Sequence, residues 1–75
     1  MKILVSDPLF VDDLVEFLRR CECSADRVGA RAIEAMPPHS GQEFAYLRME
    51  LDAYLRVWRE MHPGLTAELL EPAAA

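Results

Sequence analysis

A long amphipathic stretch of this chain is bracketed by Pro37-Pro38 on one side and His62-Pro63-Gly64 on the other. Proline interrupts a helix, so the two brackets confine one helix between them. Ser40-Gly41-Gln42-Glu43 matches a capping box, in which the Ser40 side chain and the Glu43 carboxylate satisfy each other's backbone amides. The helix it predicts runs to about Met61 or His62, about 30 Å at the usual rise per residue. Phe44, Leu47, Leu51, Tyr54, Leu55, Trp58 and Met61 form its expected core stripe. A chain of 75 residues supports only one core, so the stripe must share it with everything else.

The N-terminal run Lys2-Ile3-Leu4-Val5 is short, apolar and β-branched, and Ser6-Asp7-Pro8 ends it, which predicts a strand. Asp7 is placed to cap the next helix and Pro8 suits its first position. That helix is expected from about Pro8 to Arg20, with Phe10, Leu14, Phe17, Leu18 and Cys21 on the buried side. Asp12, Asp13, Glu16, Arg19 and Arg20 take the other side, and Glu16 precedes Arg20 by four residues, the favourable ion-pair spacing. At the far end Leu65-Thr66-Ala67-Glu68-Leu69 alternates as a strand, with Leu65, Ala67 and Leu69 inward. Residues 72–75 are a tail expected to fray.

The segment from Cys23 to Met36 admits two readings. Its alternation around Gly29 suits a hairpin, while Ala30 to Met36 is good helical material on propensity alone. A mostly α chain with Ala25–Met36 helical is therefore the alternative. The hairpin is preferred because the strands at the two chain ends need neighbours to pair their backbone groups. The order becomes β-α-β-β-α-β over residues 1–75, one α+β domain of split βαβ, ferredoxin-like plan. In this plan two helices cover one face of a four-stranded antiparallel sheet.

In the Ser6-Asp7-Pro8 start, the Phe17-Leu18-Arg19-Arg20-Cys21 helix end, the Arg27-Val28-Gly29 turn, and Tyr54-Leu55-Arg56-Val57-Trp58 followed by His62-Pro63-Gly64, the chain resembles short uncharacterised bacterial proteins of ferredoxin-like plan. The resemblance implies the fold. It brings no activity and no site residues.

Thirteen acidic residues against eight Lys and Arg leave a net charge of -5, which opposes tracking a phosphate backbone. The first strand and Ala32–Met36 carry no aromatic residue on which bases could stack, so no nucleic-acid partner is expected. No run reaches the ~20 apolar residues of a membrane span, and none has the core of a signal peptide. The expected compartment is the cytoplasm, with Cys21 and Cys23 reduced.

Cys21-Glu22-Cys23 could form a thiolate pair for metal or redox work, but both cysteines fall on faces expected to be buried, where packing explains them. Small metal-carrying domains of this fold place Cys-x-x-Cys after the first strand, where this chain has Ser6-Asp7-Pro8. His39 and His62 stand beside prolines at helix boundaries, without the spacing of a tetrahedral zinc site, and a helix C-terminus accounts for His62. There is no Gly-rich phosphate loop and no nucleophile elbow. No catalytic, cofactor or metal residue is assigned.

Two apolar surfaces are left over. Tyr46, Met49, Ala53 and Val57 recur at three- and four-residue steps, opposite the core stripe of the long helix. Leu4, Met36 and Leu70 are expected to share the uncovered sheet face. The expectation is a non-enzymatic interaction or regulatory module, a homodimer closed through one of these surfaces, with the sheet face preferred and a larger protein as a further partner. The alternatives are a small cofactor-independent enzyme or ligand-binding domain, and a thiol metal binder.

Overall fold

The computed structural model describes residues 1–38 and 43–70, so His39, Ser40 of the expected capping box and the C-terminal tail lie outside the described residues. Strand β1 is Lys2–Val5, and a 3-10 turn, Pro8–Phe10, leads into helix α1, Val11–Arg20. Strands β2 (Ser24–Arg27) and β3 (Ala32–Met36) form the hairpin, helix α2 is Phe44–Met61, and strand β4 is Ala67–Leu69. The helical alternative for Ala25–Met36 is therefore wrong, since both arms of that segment pair in the sheet. The sheet order is β2-β3-β1-β4 with every pairing antiparallel, the split βαβ arrangement.

Local chemistry accounts for the element ends. The Asp7 side chain accepts from the Leu9 amide at 2.9 Å, and the first turn is 3-10 before the α-helix proper begins at Val11. At the other end of α1 the Cys23 amide donates to the Leu18 carbonyl and the Glu22 amide to the Arg19 carbonyl, both at 3.0 Å. This is the Schellman pattern, with Glu22 at φ 66 in the left-handed position that glycine usually fills. Helix α2 starts later than the capping box implies. Glu43 is extended and immediately precedes the helix, and its side chain makes no cap hydrogen bond.

Ile3, Val5, Ala25, Ile33, Ala35 and Ala67 line the covered sheet face and pack with Leu14, Leu18, Leu51, Leu55 and Trp58 in one core. Val11 and Val15 belong to it as well, one helical turn apart, while Phe10, Phe17 and Cys21 are only partly buried at its margin. Phe44 and Met61, expected in the core stripe, are instead exposed. An 18-residue helix is about 27 Å long, whereas strands of three to five residues span roughly 10–17 Å, so both helix ends overhang the sheet.

The two edge strands are each held by an arginine from the last turn of the preceding helix. Arg19 Nε donates to the Ala25 carbonyl on β2, and Arg59 Nη1 donates to the Ala67 carbonyl on β4, both at 2.9 Å. Occupied carbonyls and nearby charge oppose extension of the sheet by another strand. Arg27 similarly donates to the Gly29 and Ala30 carbonyls and reaches Asp12 on α1, tying the hairpin loop to the helix.

Candidate functional site

Among the described residues a polar cluster joins α1 to the end of α2. Trp58 is fully buried, and its indole Nε1 donates to Asp13 Oδ2 at 2.9 Å. The same carboxylate oxygen lies 3.1 Å from His62 Nε2. His62 Nδ1 is 2.9 Å from the Trp58 carbonyl oxygen, so both ring nitrogens face acceptors. The imidazole stacks on the indole with centroids 4.3 Å apart and meets Phe10 edge-on at 5.8 Å. Asp13 sits on the outer side of α1 as its periodicity predicts, yet it is the hydrogen-bond partner of a buried ring rather than a solubilising charge. The three groups fix α2 against α1, and the ring faces that could hold a ligand are occupied by each other.

The thiols are absorbed by the helix ending. Cys21 is the α1 cap residue and Cys23 follows Glu22, with Cys23 and Leu18 both in the core as a Schellman turn favours. Burial, aided by the adjacent Cys21 and by Glu50, pushes the Cys23 thiol up to about 11. A thiol must lose its proton to ligate metal or attack, so this position opposes both. Among the described residues no three His, Cys, Asp or Glu side chains come together as metal ligands.

The space between sheet and helices is filled: Leu51 and Trp58 are wholly inaccessible and Phe17 packs at their margin. Tyr54 is half-buried, donates to Glu50 Oε1 at 3.2 Å, and has its hydroxyl pushed upward, chiefly by burial and then by that hydrogen bond. An open depression of about 470 Å³ lies elsewhere, on the outer side of α2, against Phe44, Ala45, Arg48, Met49 and Asp52.

The two expected apolar surfaces differ once register is applied. Leu4, Met36 and Leu70 do share the uncovered sheet face and are 38–41% exposed. Leu4, however, is flanked by Ala32 and Glu68, while the next row across the sheet is Lys2, Glu34 and Asp26. Leu70 sits beside Lys2, whose carbonyl accepts from the Leu70 amide, and the Met1 amino group binds Glu34 at 2.7 Å. Met36 lies four residues along β3 from Ala32, about 13 Å away and beyond the charged row. The charged row thus cuts Met36 off from Leu4 and Leu70, which remain diagonal neighbours between Lys2 and Glu68. On α2, by contrast, Tyr46 and Val57 are each 49% exposed, Met49 is 68% exposed, and Ala53 is exposed between them. These four follow one another at helical-neighbour spacing, and exposed Glu60 and Met61 stand at the C-terminal end of the line.

Among the described residues no helix is long and apolar enough to cross a membrane. Comparison with protein-family models, curated proteins and solved structures produced no match.

Proposed function

We propose that this protein is a non-enzymatic, cytoplasmic interaction or regulatory module that acts as a homodimer through the outer face of α2. The observation that carries the reading is the continuous stripe of Tyr46, Met49, Ala53 and Val57, set against a sheet face on which a charged row cuts Met36 off from Leu4 and Leu70. Sheet extension is disfavoured by the arginines on both edge strands.

Magnitudes place the dimer in the weak class. Burying the exposed half of a large apolar side chain gains about 1 kcal/mol, so two stripes together gain roughly 6–8 kcal/mol. Association costs about 4–15 kcal/mol in lost freedom. The association is reversible and fades on dilution. The enzyme or ligand-binding reading needs a cavity between sheet and helices, where Leu51 and Trp58 are instead fully packed. The thiol reading needs an accessible, acidic Cys23.

Native mass spectrometry of the full chain separates these readings. The proposed function predicts a monomer–dimer mixture without bound metal or small molecule, reduced to monomer by Met49→Glu or Val57→Glu and unaffected by Leu4→Glu. A dimer that survives both helix variants, or one lost in Leu4→Glu, contradicts it.

A further inference from the structure

The stripe has a symmetry that bears on how two copies meet. Ala53, its smallest side chain, lies at the middle, and Tyr46 and Glu60 lie seven residues on either side, two turns away along nearly the same line. Met49 and Val57 lie four residues on either side. Glu60 and Tyr46 are both exposed. We infer that the second copy docks with its α2 antiparallel, on a two-fold axis passing beside Ala53, an inference that rests on the self-association proposed above.

Charge favours a copy of this chain as the occupant. Within α2, Arg48, Arg56 and Arg59 balance Glu50, Asp52 and Glu60, so the helix is neutral, and the chain's net charge of -5 resides entirely outside it. A contact through α2 therefore brings two copies together on a helix that carries none of the net charge. Charge also decides direction. A parallel pair in register sets Glu60 against the partner's Glu60 near the seam, two like charges facing each other. The antiparallel pair sets the Tyr46 hydroxyl against the partner's Glu60 at both ends, a donor facing a carboxylate. It also places Met49 beside the partner's Val57 and opposes the two helix dipoles. Ala53 at the axis lets the backbones approach to the short end of the usual 8–10 Å helix separation.

Cysteine cross-linking of the full chain tests the direction. Met49→Cys and Val57→Cys are prepared singly, checked for dimerisation by sedimentation, and oxidised alone and mixed, with the wild-type chain and its own two thiols as the blank. The antiparallel dimer predicts a covalent species of mixed mass from the mixture and none above the blank from either variant alone. The like positions are then about 12 Å apart along the axis, beyond disulfide reach. Self-cross-linking of Met49→Cys, or absence of the mixed species while sedimentation still shows a dimer, overturns the antiparallel arrangement. Monomer at every concentration in the wild type instead overturns the self-association on which it rests.

Discussion

Replacing Asp13 with alanine removes the acceptor of the one hydrogen bond made by the Trp58 indole, and with it the carboxylate that faces His62. A buried donor left without a partner costs about 1–3 kcal/mol. The Asp13 side chain is itself 53% exposed, so water can replace part of what is lost, and the lower half of that range applies, about 1–2 kcal/mol. For a domain of this size each kcal/mol moves the melting temperature by about 4–8 °C, so Asp13→Ala is expected to melt roughly 4–16 °C lower. Asp13→Asn keeps an oxygen for the indole and loses only the charge, so about half that shift is expected. Trp58 is the sole tryptophan, and its fluorescence reports the site directly: Asp13→Ala should alter its emission in the folded state. An Asp13→Ala protein with the wild-type melting temperature and emission spectrum would refute the role given to this carboxylate.

Two further outcomes follow from the end of α1. Glu22→Gly relieves a left-handed backbone at the Schellman position and should raise stability by about 0.5–1 kcal/mol in denaturant unfolding, an increase that an ordinary surface glycine would not produce. Cys23, with its thiol at about 11, should resist alkylation at pH 8 until denaturant is added. Because the fold raises this group above its ordinary 9.0, its contribution is intact below pH 9 and is lost as pH climbs through 11. Roughly 2 kcal/mol should disappear across that window, with the raised Tyr54 hydroxyl acting in the same direction. Unfolding midpoints that stay level up to pH 11, or rapid alkylation of both thiols in the native protein, would contradict these assignments.

Much of the architecture is legible in the residues. The Ser6-Asp7-Pro8 and His62-Pro63-Gly64 breaks fall at element ends, and the hairpin follows from the need of β1 and β4 for pairing partners. What escapes is what depends on distant geometry. Phe44 and Met61 have the right helical phase for the core, but their exposure depends on how short the strands are, which periodicity does not report. Leu4, Met36 and Leu70 have the right strand phase for one face, yet only pairing register shows Lys2, Glu34 and Asp26 crossing between Leu4 and Met36. Asp13 and Trp58 lie 45 residues apart, so their hydrogen bond leaves no local signature. The Cys-x-Cys spacing does carry one, but with glutamate rather than glycine at the left-handed position the Schellman turn is hidden.

The proposed α2 interface is read out by the dissociation constant from sedimentation equilibrium, measured on wild-type protein, Met49→Glu and Leu4→Glu over a wide concentration range. Each dimer carries two copies of Met49, and losing about 1.5 kcal/mol at each weakens association by roughly 100-fold. A reversible wild-type dimer is expected, with Met49→Glu monomeric throughout and Leu4→Glu indistinguishable from wild type. Equal dissociation constants for wild type and Met49→Glu would contradict it.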